Sequence, residues 1–120
     1  MKLARLNLIV LLLIACSRPI PAGVAEQLNR YFSGLNLEPG WRFVKLTHGF
    51  GGKTLVADIL VDRPLPGSRE VQQAFLRDRL CPPLGGNERF WRELQGFELA
   101  VAVYTQDRKY TALSECPRPL

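Results

Sequence analysis

Apolar positions along the chain change period several times, and each change marks an element. Val24, Leu28, Tyr31, Phe32 and Leu35 recur at helical spacing with Glu26, Gln27, Asn29 and Arg30 between them. They predict a helix over 24–32, ended at Ser33-Gly34 by a glycine able to take the left-handed cap conformation. Glu38-Pro39-Gly40 reads as a turn. From Trp41 the period falls to two, with Trp41, Phe43 and Lys45 on one face and Val44 and Leu46 on the other. Leu55, Ala57, Ile59 and Val61 then share a face. This patterning predicts strands over 41–47 and 54–61, joined by the glycine-rich connection His48-Gly-Phe-Gly-Gly-Lys53.

After the stiff connector Arg63-Pro-Leu-Pro-Gly67, Ser68 caps a second helix with Val71, Phe75, Leu76 and Leu80 as its apolar side. Cys81-Pro82-Pro83 stops it, because proline lacks the amide a helix needs. Asn87 caps a short helix running to Leu94, with Phe90, Trp91 and Leu94 apolar, and Gly96 breaks it. Over 97–104, Phe97, Leu99, Val101 and Val103 alternate cleanly with Glu98, Ala100, Ala102 and Tyr104. A short last strand over 109–113 comes after a turn at Gln106-Asp107-Arg108. The order α-β-β-α-(short α)-β-β predicts an α+β domain: a small antiparallel or mixed four-stranded sheet packed by two main helices.

One apolar run fits none of these periods. Leu6-Asn-Leu-Ile-Val-Leu-Leu-Leu-Ile-Ala15 comes after Lys2 and Arg5, and it is too short for a membrane-spanning helix of about 20 residues. It has the length of the apolar part of a secretory leader. Its end, Leu13-Ile14-Ala15-Cys16, resembles the lipobox of bacterial lipoproteins. In that family the cysteine sulfur receives diacylglycerol, the leader is cut before it, and the new amino group is usually acylated. The resemblance covers residues 1–17 and implies an outer-membrane address on the periplasmic face, since Ser17 stands where Asp favours inner-membrane retention. It divides the chain into a signal peptide over 1–15, lipidated Cys16 with a short tether over 16–23, and one periplasmic domain over 24–120. Two or three acyl chains hold a protein durably where one does so marginally. The competing reading is an ordinary leader cut near Ala22 or Gly23.

That division changes the cysteine count. With Cys16 set apart, Cys81 and Cys116 remain as an even pair in a chain addressed to an oxidising compartment, which predicts a disulfide. Charge shifts as well: +5 for the whole chain becomes +3 once Lys2 and Arg5 leave with the leader. The arginines are dispersed among acids, which suits the neighbourhood of anionic lipid. They do not form the clustered footprint of a nucleic-acid partner. With 22% charged residues and nearly half apolar, the composition is globular.

Candidate chemistry is sparse. Gly52-Lys53-Thr54 matches the end of a phosphate loop, but the earlier glycine falls at Thr47 and a strand stands next where a helix is required. His48 is the single histidine, and with no Cys-x-x-Cys the sequence implies neither a metal nor a cofactor. Asp58 and Asp62, four apart in a strand, point to one side with Val56 and Leu60. They could do acid–base work on envelope glycans. Asp58, if buried, calls for Arg42 or Lys45 as partner. Phe50, an aromatic among glycines, is a candidate contact, as are Arg89 and Arg92 if Trp41, Trp91, Phe90 or Tyr104 is exposed beside them. The expectation is a non-enzymatic, membrane-anchored envelope lipoprotein acting as an accessory or interaction factor for another envelope protein. The alternative is a small envelope hydrolase or ligand-binding domain acting on peptidoglycan or lipid.

Overall fold

The structure, a computed structural model, describes residues 20–49, 52–86 and 88–119. Cys16, Phe50 and the Asn87 cap lie outside the described residues. The elements are α1 (Ala22–Ser33), β1 (Arg42–His48), β2 (Thr54–Val61), α2 (Arg69–Leu80), α3 (Glu88–Glu93), β3 (Glu98–Thr105) and β4 (Thr111–Glu115). They form an α+β domain with one mixed four-stranded sheet in the order β1-β2-β3-β4. The two hairpins are antiparallel, and β2 and β3 run parallel at the centre because α2 and α3 intervene.

Period-2 patterning decides which face is covered. Leu55, Ala57, Ile59 and Val61 on β2 and Leu99, Val101 and Val103 on β3 are nearly inaccessible. Against them lie Val24, Leu28 and Phe32 of α1, Leu76 and Leu80 of α2, and Trp91 of α3 with Leu94 just beyond it. Burying each large aliphatic or aromatic side chain contributes about 1.5–3 kcal/mol. Spacings of four along α1 and α2 place these groups on one stripe each. Tyr31 joins the helices by donating its hydroxyl proton to the Leu80 carbonyl at 3.2 Å. Burial raises its pKa.

Several expectations need correction. β1 does not alternate simply: a bulge between Phe43 and Lys45 leaves Val44 without a register partner. Phe43 then pairs with Ile59 and Leu46 with Ala57, so both belong to the helix-covered face, while Lys45 pairs with Asp58. Phe43 stacks on Phe32 with ring centroids 5.5 Å apart. An extra residue in one strand reverses the facing of the residues beyond it. Gly34 has φ −87° and so does not take the left-handed cap; its amide instead reaches Arg30 and Tyr31 carbonyls at 3.1 and 3.2 Å. Val71 is 57% exposed rather than part of the core stripe. α1 begins at Ala22, inside the expected tether, and the last strand is displaced to Thr111–Glu115.

Other local predictions hold. Trp41 closes the Glu38-Pro39-Gly40 turn through its amide to the Glu38 carbonyl at 3.0 Å, with Gly40 at φ +87°. Positive φ is what glycine supplies there. Ser68 caps α2, its hydroxyl oxygen accepting from the Val71 amide at 3.3 Å. Cys81 and Cys116 are bridged with Cα atoms 5.4 Å apart, joining the residue after α2 to the residue after β4.

Candidate functional site

The predicted polar sites do not converge. His48 pairs in register with Leu55, whereas Asp58 pairs with Lys45, so the two belong to opposite faces of the sheet. Asp62 lies past the end of β2, which stops at Val61, and so does not share a strand face with Asp58. Its carboxylate sits against Gly40, where an added Cβ would come within 2.9 Å of it. It also pairs with Arg63 at 3.6 Å. Asp58 is half-buried and accepts a hydrogen bond from the Thr47 hydroxyl at 3.3 Å. Lys53 and Thr54 lead into β2 with no helix behind them, so the glycine connection is not built as a phosphate loop. Among the described residues no cluster of three metal-ligating side chains occurs, and no helix is long and apolar enough to cross a membrane.

Arg89 and Arg92 do not gather exposed aromatics. Arg89 pairs with Glu93 at 3.3 Å along α3, and Trp91 between them turns into the core, donating its indole proton to the Pro83 carbonyl at 3.1 Å. Phe90 is half-buried against Trp91 and Tyr31. Tyr104 falls on the uncovered face of β3 rather than in the core, with the Arg108 guanidinium 5.3 Å above its ring.

An aromatic groove forms elsewhere, where the turn before β1 meets the connector and α2, which lie more than twenty residues further along the chain. The turn before β1 supplies Pro39 and Trp41, the connector after β2 supplies Pro64, Leu65 and Pro66, and α2 supplies Val71 and Phe75. Together they enclose about 560 Å³, within the range of small-ligand and peptide clefts. Trp41 meets Phe75 edge to face at 6.0 Å. Such an arrangement suits the ring quadrupoles and leaves part of each ring accessible. Gln72 fixes the connector wall by donating from Nε2 to the Leu65 carbonyl at 2.8 Å and the Gly67 carbonyl at 3.1 Å. The charged rim is internally neutralised. Arg79 lies 3.7 Å from Glu38 and 5.5 Å from the centre of the Phe75 ring, and Arg63 pairs with Asp62.

Chemically, this surface can grip apolar or proline-bearing chain by contact with aromatic faces. Periodicity alone puts Trp41 on a strand face with Phe43 and Lys45 and Val71 on the apolar side of α2, and so misses the groove. The legible signal is the prolines at 39, 64 and 66, which stiffen both chain segments beside it. No protein-family model, curated protein or solved structure matches the chain.

Proposed function

We propose that the protein is a lipid-anchored, non-enzymatic accessory factor of a bacterial envelope, which holds an apolar segment of another envelope protein in the Trp41–Phe75 groove. Support for the address comes from the lipobox-like Leu13-Ile14-Ala15-Cys16. With α1 starting at Ala22, residues 17–21 are left as tether, spanning roughly 15 Å at about 3.1 Å each. The domain therefore works at the membrane face. On this reading that is the outer membrane, seen from the periplasm.

The observation that carries the interaction reading is the half-exposed aromatic pair beside a 57%-exposed Val71. Its rim charges already pair with each other, so an uncharged segment is the complementary occupant. Truncating central aromatics in such grooves typically costs about 2 kcal/mol or more of binding.

A photo-crosslinking residue at Val71, in the full chain expressed in cells, tests both parts. One defined envelope protein should be captured, with capture lost in Trp41→Ala and absent from the same probe placed at Glu115. Acylation of the chain should disappear in Cys16→Ser by intact mass. Specific turnover of an envelope substrate with no Val71-dependent partner overturns the interaction reading, and an unmodified soluble wild type overturns the anchor.

A further inference from the structure

We infer that the sheet carries a second site, a cleft that binds a phosphate group through the guanidinium groups of Arg69 and Arg108 and the ammonium of Lys45. Its ligand chemistry does not depend on the aromatic groove. The three helices cover one face of the sheet, and on the other the register aligns Lys45, Asp58, Ala102 and Leu113 in a single cross-strand row. Ala102 is the small member of that row. The depression over it widens into a cleft of about 780 Å³, to which the start of α2 and the β3–β4 turn also contribute.

Charge selects the occupant. Lys45, Arg69 and Arg108 come from three separate elements, and none makes an ion pair among the described residues. The one carboxylate in the lining, Asp58, stands opposite Lys45 and accepts from Thr47. Three cations against one carboxylate leave a formal charge of +2 over a cleft with sheet walls. Guanidinium forks match phosphate oxygens two at a time, whereas an ammonium acts as a point charge.

The backbone under Arg108 points the same way for a separate reason. Among the described residues it is the non-glycine residue with positive φ, at +59°. Glycine or asparagine is favoured in that conformation, and a long side chain there costs backbone energy. The turn is nonetheless held firmly. Asp107 accepts from the Thr105 hydroxyl at 2.6 Å and from the Lys109 amide at 3.2 Å. Stacking on Tyr104 then lays the Arg108 guanidinium over the open face. A cation held in place before its ligand arrives loses less entropy on binding.

Phosphate of this kind can come from a soluble monoester or from the diester headgroup of an anionic lipid. The test uses the full chain carrying Cys16→Ser in nonionic detergent, titrated separately with inorganic phosphate, glycerol 3-phosphate and short-chain phosphatidylglycerol. Amide shifts of Ala102, Arg108 and Leu113 report binding. Saturation by the first two marks a soluble source, and saturation by phosphatidylglycerol alone marks the headgroup. Either should weaken by about tenfold or more in Arg69→Gln with Arg108→Asn, in line with loss of two charge-assisted contacts. The control Arg92→Gln should leave binding unchanged. Asparagine tolerates the left-handed turn, and unchanged far-ultraviolet circular dichroism confirms the fold of each variant. No saturable shift with any probe, or equal affinity in the double variant, overturns the site.

Discussion

Cutting the Cys81–Cys116 bridge tests how much of this small domain's stability comes from restricting its unfolded chain. The bridged residues are separated by 35 positions. Closing a loop of that length contributes roughly 3–4 kcal/mol in the chain-entropy model. A domain of this size has about 5–15 kcal/mol in total. The folded end is also held without the bond. The Cys116 amide donates to the Leu99 carbonyl at 2.7 Å, and the Arg118 guanidinium donates to the Phe97 and Leu94 carbonyls at 2.6 and 3.3 Å. Reduction should therefore leave the native contacts in place and act through the unfolded state. Urea unfolding of the full chain, monitored by tryptophan fluorescence, should show the midpoint falling by roughly 2 M for a slope near 1.5 kcal/mol per M. The slope itself should rise, because a chain without the bridge exposes more surface when unfolded. Replacing both cysteines with alanine adds the loss of sulfur at Cys116, which is 6% exposed, and should cost about 1 kcal/mol beyond reduction. A reduced protein within about 0.5 kcal/mol of the oxidised one, with an unchanged slope, refutes the loop-closure argument.

Phe32→Ala should cost about 3–5 kcal/mol in urea unfolding, since this 1%-exposed ring fills the space between α1 and Phe43; a loss under about 1 kcal/mol means the site collapses around the gap. Ser68→Ala should cost about 1 kcal/mol by removing the α2 cap, with Ser68→Asp restoring it. Hydrogen bonds from the Thr105 hydroxyl and the Lys109 amide hold the Asp107 carboxyl below its ordinary pKa. A depressed folded value means its contribution is present above the unfolded pKa, about 3.9, and is lost as pH falls through the lower folded value. The urea-midpoint difference between wild type and Asp107→Asn should therefore narrow on acidification through that window, and a constant difference sinks the assignment.

Legibility in the sequence tracked the range of the interactions involved. β2 and β3 could be read because alternating apolar residues, four on β2 and three on β3, meet one continuous helical layer, and a one-residue slip would expose them all. The cysteine pair could be read because it needed only compartment and count. β1 could not. Phe43, Val44, Lys45 and Leu46 satisfy alternation in either sense, and the bulge that decides between them appears only in pairing with β2. Gly34 misleads for a related reason: glycine permits the left-handed region without requiring it. Val71 has the phase of the α2 stripe, yet it lies beside Gly67 at the open start of the helix, where the connector folds back. Both candidate surfaces draw on segments more than twenty residues apart, so no local window could assemble Trp41 with Phe75, or Lys45 with Arg69 and Arg108.

Topology explains why these surfaces fall where they do. Because β2 and β3 run parallel, Val61 and Thr105 are register partners and both strands finish at one end of the sheet. The connector to α2 and the turn to β4 leave from that same end, which concentrates irregular backbone there. Loops on a rigid scaffold are where binding residues gather. The bridge lies toward the other end, beside Leu99 at the start of β3, and so closes the fold without entering either surface. Gln72 is shared. It lines both the aromatic groove and the basic cleft, and its amide holds the connector through Leu65 and Gly67. The two surfaces thus have a wall in common at the first turn of α2.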